Sequence, residues 1–442
     1  MPDSVAGRRY AQRHIEAGLP QLNCPQGQWR QVLVIPAYRE SPELLQRLSS
    51  LAAKASHSLF ILVLNRPDSD PDTQANKALR NAAHALHPAS MDTAISSCYL
   101  LPPSSCLFLY DTERELGPLP ASQGVGLARK IGCDIAWQWQ QHGAIAGNWI
   151  CSSDADALLP HDYFQRLNDC PDTAVAATYP FCHAAGPDPL CNKATALYEL
   201  RLHHYVLGLQ YAGSPYAHHS LGSCLAVRTQ AYAQVRGFPR RAGGEDFYLL
   251  NKLAKLGPIT QLAGECIQLQ SRMSQRVPFG TGPAVMQIAA AGAPEDAALF
   301  YHPACFVALR AVLATATQLH QAGDADCISL LREQGIPDPL AQLSNKTLCD
   351  MGWLQAVQHC RRQGKTPEQY LRHFHQWFDA FRTLKFIHAL REDALPQQSL
   401  QGLAALQPLL WPDAPESECD VQVLLGSIRN EWRWTTLNRA RC

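Results

Sequence analysis

The chain has 442 residues, enough for two or three domains and a large core. Apolar residues make up 46% and charged ones 17%, a globular balance that excludes a disordered chain. Lys plus Arg and Asp plus Glu stand at 38 each, so no net positive charge points to nucleic acid or an anionic membrane as partner.

Sixteen cysteines are scattered, without a Cys-x-x-Cys pair or zinc-like spacing. That pattern reads as reduced thiols in a cytoplasmic setting rather than a disulfide framework. Residues 1–31 carry no apolar run of the kind a secretory leader has. No run of about 18 apolar residues occurs, so no integral membrane segment is expected, with peripheral attachment left open.

In chain order, residues 4–18 read as a short helix, followed by a polar link over 20–28. Residues 31–37 form a continuous apolar run, which fits a strand covered on both faces. Ser41-Pro42-Glu43 opens a helix with a capping residue and an early proline, running to about 54. A second buried strand spans 59–65, and Pro71-Asp72 opens another helix to about 86. After the Pro102-Pro103 turn come a strand at 106–110 and a helix over 122–139. The run 147–157 then reads as a strand ending in Asp154 and Asp156.

Further strands are expected at 174–179, 223–227 and 259–269, with a long helix at 190–210 and another after Gly243-Gly244-Glu245-Asp246. The stretch 271–282 is loop-like and carries Arg272 and Arg276. Beyond 294 the pattern turns all-helical. Its clearest element starts at Thr366-Pro367-Glu368-Gln369, a capping box, and its stripe continues through Tyr370, Phe374, Trp377, Phe378, Phe381, Leu384 and Ile387. The expected division is an N-terminal extension (1–30), an α/β domain (31–293) and a helical region (294–442). Strands alternating with helices imply a mainly parallel, doubly wound sheet, with its site beyond the carboxyl ends of the strands. Asn65, Asp154 and Asp156 fall at such ends.

On extended chain, residues 154 and 156 share a side, and two carboxylates so placed repel unless a cation lies near. A hard divalent ion with oxygen ligands is the natural partner. The plainer reading is a strand-end turn with solvated acids. Glu245 and Asp246 at a helix start can cap it or serve as a general base. Arginine forks at 272 and 276 suit phosphate oxygens, or are an ordinary basic loop. Among the histidines, His302, which follows that loop, is the first to test as a metal ligand.

Several segments line up in order. Val34-Ile35-Pro36-Ala37-Tyr38-Arg39-Glu40 resembles the "IPxYNE" opening of family 2 glycosyltransferases and their GT-A-fold relatives, and residues 124–132 resemble their "GxxxARNxG" helix. Asp154-Ala155-Asp156 matches the DxD motif. Residues 222–228, Gly237-Phe238 and Gly244-Glu245-Asp246 resemble the "GxxxAxR … GGF … ED" run. The resemblance spans roughly residues 31–270 and departs from the family at Asn65, where an aspartate usually meets the nucleotide base, and at Lys130.

The resemblance implies a GT-A, Rossmann-like domain that binds a nucleotide-diphosphate sugar with Mn²⁺ or Mg²⁺ and moves the sugar to a hydroxyl of a small or soluble acceptor. It implies Asp154 and Asp156 at the metal and Asp246 as base of an inverting transfer, with Glu245 positioning the acceptor. Pro36, Tyr38, Glu40, Asn65, Arg129, Asp154, Arg272 and Arg276 would contact the donor. A retaining transferase, a non-catalytic nucleotide-sugar or partner-binding module, and a nucleotidyltransferase remain alternatives. The last usually carries a Gly-rich loop after the first strand, which 36–40 is not.

Overall fold

The computed structural model describes residues 4–434 apart from 18, 20–21, 93–95, 274–279, 292, 321–326, 405 and 407–419. By internal packing the chain divides into two units. The first comprises Met1–Pro189, Ser220–Ala284 and Glu431–Cys442, and the second Leu190–His219 and Val285–Asn430.

The first unit carries the sheet. Its strands are β1 (Gln31–Ala37), β2 (Ser58–Leu64), β3 (Pro88–Asp92), β4 (Ser96–Leu101), β5 (Ser105–Asp111), β6 (Trp149–Ser152), β7 (Ala176–Thr178), β8 (Phe181–Ala184), β9 (Leu225–Arg228), β10 (Ile259–Gln261) and β11 (Ile267–Gln270). Nine of them form one sheet in the order β10-β7-β9-β6-β1-β2-β5-β4-β3, while β11 and β8 form a separate two-stranded sheet. Tracing directions through the pairings, only β4 and β9 run against the other seven. The sheet is therefore mainly parallel, as expected.

The reason lies in the strands. Every residue of β2 is buried, so both pleat faces must be covered, which is the demand of a parallel sheet's interior. Leu59, Ile61 and Val63 share a core with Ile131 and Ile135 of the Gly124–Gln141 helix. That helix lies close on β1 because position 132 is glycine: a Cβ there would stand 2.3 Å from Val34 Cγ1.

The elements differ from expectation in four places. The β3–β4 hairpin was not anticipated: the Pro-Ala-Ser-Met-Asp sequence of β3 carries no strand pattern, although Ser97, Cys98 and Tyr99 of β4 are buried. The helix expected from Pro71 is Lys77–His84, because Asp70 and Asp72 bend the preceding chain by accepting from the backbone N–H groups of Asp72 and Gln74. The strand expected over 259–269 is two strands in two sheets. The helix expected from 366 to 391 is two, Pro367–Trp377 and Ala380–Asp393. Phe378 leaves helical geometry and the Asp379 side chain accepts from the Arg382 N–H, capping the second helix.

The second unit is helical. Its core joins Leu209 and Ala212, on and just after the Pro189–Tyr211 helix, to Phe306 and Leu309 of Pro303–Leu319 and to Phe374, Phe386 and Ile387. The segment Leu190–His219 thus packs with the C-terminal helices although it lies inside the stretch read as the α/β domain. Among the described residues, no helix is long and apolar enough to cross a membrane.

Candidate active site

From β5 the chain crosses back over β1 to place β6 on its far side, so β1 and β6 flank a topological switch point. The two strands pair only at Leu33 with Cys151 and Val34 with Ser152, and beyond that their carboxyl ends part. Residues 38–40 follow β1 there and residues 153–157 follow β6.

Asp154 and Asp156 do not continue an extended strand. Strand β6 ends at Ser152, and the Ala157 N–H bonds back to the Asp154 carbonyl at 3.2 Å, closing a turn over 154–157. The two carboxylates therefore meet different partners. Asp154 Oδ1 accepts from Arg129 Nη2 at 2.7 Å. Asp156 Oδ2 pairs with Arg272 Nη2 at 2.5 Å, and the same nitrogen lies 3.6 Å from Glu40 Oε1. Arg47 Nη2 holds the turn by donating to the Ala155 carbonyl at 2.6 Å.

Arg129 comes from the Gly124–Gln141 helix and is 3% exposed, so its expected contact with a nucleotide is replaced by contacts inside the protein. Its Nε donates to Glu245 Oε1 at 3.0 Å and its Nη1 reaches Ser152 Oγ at 3.4 Å. Gly222 makes the room: a Cβ there would stand 2.4 Å from Arg129 Nη2. Ser152 Oγ donates to the Gly222 carbonyl at 3.1 Å.

Gly244 takes φ +69°, the left-handed geometry that glycine adopts without a Cβ penalty, and starts the Glu245–Leu253 helix. Asp246 Oδ1 accepts from the Phe247 N–H at 2.7 Å. Glu245 is buried, and its Oε1 accepts from Arg129 Nε. Burial raises the pKa of both acids. For Glu245 the Asp246 charge adds to the rise, and the Arg129 guanidinium opposes it for both.

Pro36 is buried within β1, and Tyr38 donates its hydroxyl to Asp70 Oδ2 at 2.5 Å, where Arg39 also binds. Asn65 sits at the carboxyl end of β2, but its amide nitrogen donates to the Ala37 and Val63 carbonyls at 3.2 and 3.3 Å. Its donors serve the fold rather than a base, because the strand end is buried. Arg276 lies outside the described residues. His302 belongs to the second unit, where its Nδ1 caps the Pro303–Leu319 helix by accepting from the Ala304 N–H at 3.1 Å. Among the described residues, no group of three His, Cys, Asp or Glu side chains is arranged to hold a metal ion.

Sequence reasoning missed Arg47, Ser152 and the role of Gly222, although Gly222 stands in a quoted motif. It also missed a buried ion network beside β2 and β5, where Arg66 and Arg80 pair with Glu113 at 2.7 and 2.5 Å and Arg80 with Asp111 at 2.6 Å. A cleft of about 290 Å³ opens at the other end of β1 and β6, beside Arg30, Asn148 and Arg228, away from these residues.

No family model matches the chain, and no curated protein does. Among solved structures, the chain is similar to residues 1–349 of S. aureus TarS in complex with UDP-GlcNAc, at 13% identity and TM-score 0.35, over 78% of this chain and 91% of that one. It is also similar to glucosyl-3-phosphoglycerate synthase from Mycobacterium tuberculosis, in complex with phosphoglyceric acid, at 12% identity and TM-score 0.31 over 55% and 70%. The same enzyme with Mn²⁺, UDP-glucose and phosphoglyceric acid matches at 11% identity and TM-score 0.30 over those shares.

Proposed function

We propose that this chain is a metal-dependent glycosyltransferase that moves a sugar from a nucleotide-diphosphate sugar to a hydroxyl of a small or soluble acceptor, in the cytoplasm, with inversion. The observation that carries the reading is the meeting of Asp154, Glu245 and Asp246 around one buried guanidinium at the switch point of a mainly parallel sheet. Carboxylates gathered there serve both halves of a transfer, the leaving diphosphate and the incoming hydroxyl.

The residues fit a hard divalent cation. Asp154 and Glu245 pair with the Arg129 guanidinium, and the Arg272 guanidinium already stands between Asp156 and Glu40 as a cation would. Mg²⁺ and Mn²⁺ sites of this kind draw on one or two carboxylates plus substrate phosphates, so a cage of three protein ligands is not required. Asp156 and Glu40 would hold the ion. When bound, it would act as a Lewis acid on the departing diphosphate.

Asp246 accepts the proton of the acceptor hydroxyl as that oxygen bonds to the anomeric carbon and the bond to the diphosphate breaks. Asp154, fixed by Arg129, faces the donor. Arg272, once displaced from Asp156, supplies its fork to phosphate oxygens.

A screen of nucleotide sugars with and without Mn²⁺, following both sugar release and transfer, tests the reading. Metal-dependent turnover of at least one donor, abolished by Asp156→Ala, is the expected result. Binding without turnover reassigns the chain to a non-catalytic module. Pyrophosphate release from a nucleoside triphosphate reassigns it to a nucleotidyltransferase.

A further inference from the structure

Arg129 is charged, fully enclosed and too deep to touch a ligand, yet each end of its fork holds a different half of the site. Nη2 binds Asp154 on the β6 turn at 2.7 Å, and Nε binds Glu245 at the start of the Glu245–Leu253 helix at 3.0 Å. These residues are 91 positions apart in the chain (154 to 245) and lie on separate elements. A second contact runs alongside: Arg129 Nη1 reaches Ser152 Oγ at 3.4 Å, and that hydroxyl donates to the Gly222 carbonyl at 3.1 Å. Gly222 itself lies flush against the guanidinium, where no larger residue fits. A planar fork with fixed donor directions transmits a shift of one carboxylate to the other, which a flexible ammonium does not.

We propose that Arg129 is a positioning residue that couples Asp154, on the donor side, to the Glu245–Asp246 pair, on the acceptor side, so that the base is held in place only while Asp154 is. The inference rests on the glycosyltransferase reading above and adds to it a link between donor seating and base placement. Asp154 seated against the donor fixes the guanidinium, the guanidinium fixes Glu245, and Glu245 fixes the helix start that carries Asp246. An empty donor site leaves that chain slack, which disfavours proton abstraction without a donor in place.

The test is a double-mutant cycle of Asp154→Asn and Glu245→Gln, measured in wild-type, Arg129→Lys and Gly222→Ala backgrounds. The readouts are kcat/KM for transfer and, independently, the urea midpoint of unfolding. In the wild-type background the combined loss in kcat/KM should fall short of the product of the single losses by about tenfold. In the Arg129→Lys background, which keeps the charge but not the fork, the losses should multiply. Gly222→Ala keeps every charged group and pushes the guanidinium aside, so it should also make the losses multiply. It covers the case in which Arg129→Lys does not fold, which the urea midpoint reports. Losses that already multiply in the wild-type background, with turnover intact, overturn the coupling and leave the glycosyltransferase reading standing. A wild-type chain that turns over no nucleotide sugar overturns both.

Discussion

A guanidinium 2.5 Å from a carboxylate occupies the place that a divalent ion would take, and Arg272 does so at Asp156. The arginine is about a third exposed, so the pair is worth little in water, and its removal should tighten Mn²⁺ binding in the absence of donor by about two- to fivefold. Calorimetric titration of Arg272→Ala against wild type checks this, and an unchanged affinity would separate the contact from cation entry. The acid pair makes a second prediction. Burial lifts Glu245 to about 7 and raises Asp246 as well, while an ordinary carboxylate sits near 4. A base must be ionised to act, and these acids take up a proton at higher pH than usual. Transfer kcat/KM should therefore fall on the acid side at a higher pH than an ordinary carboxylate would give, rather than near 4. Asp246→Asn should keep donor binding and lower transfer by about a hundredfold to ten-thousandfold. An acid limb that falls only near pH 4, or full activity in that variant, removes Asp246 from the base role.

At the scale of elements, the Gly124–Gln141 helix sets the geometry, since it carries Arg129 and rests on β1 through Gly132. In an exposed helix Gly132→Ala would be stabilising by about 1 kcal/mol through propensity. Here the new methyl would stand 2.3 Å from Val34 and 3.0 Å from Val63, so one layer must move. Overpacking outweighs propensity, and we expect a net loss of ~1–2 kcal/mol, read as a lower urea midpoint at unchanged m-value. A gain in stability would mean that the helix stands further from the sheet than the contact distances indicate.

At the scale of the whole chain, the second unit hides charge-capable groups that must stay neutral. His204, whose Nε2 bonds the Tyr301 carbonyl at 2.8 Å, and His218 are both buried, and burial pulls each down to about 4. In the unfolded chain they titrate near 6.5, so between those values the unfolded state binds more protons. Stability should hold above about pH 6.5 and drain away as pH falls toward 4, by up to ~3 kcal/mol for each histidine. Thermal melts across that range check it, and His218→Gln should flatten part of the slope.

The sequence by itself determined the central strands, their order of alternation with helices and the residues at their carboxyl ends. Buried runs such as 59–64 admit only one environment, and capping signals mark where helices start. It also named Asp154, Asp156, Glu245 and Asp246, because these acids stand beside glycines and strand ends where solvent-facing chemistry collects. What each side chain touches was decided by tertiary structure. Alternation along a strand suggested that 154 and 156 face one object, but the turn at 154–157 sends them to Arg129 and Arg272. Arg129 is expected from the sequence to contact the donor, and it becomes an enclosed hub only when Gly222 and Glu245 arrive from far along the chain. The Leu190–His219 segment likewise joins the C-terminal helices through contacts that no local pattern encodes. Local periodicity records which face of an element is apolar, whereas partners distant in sequence are chosen by packing.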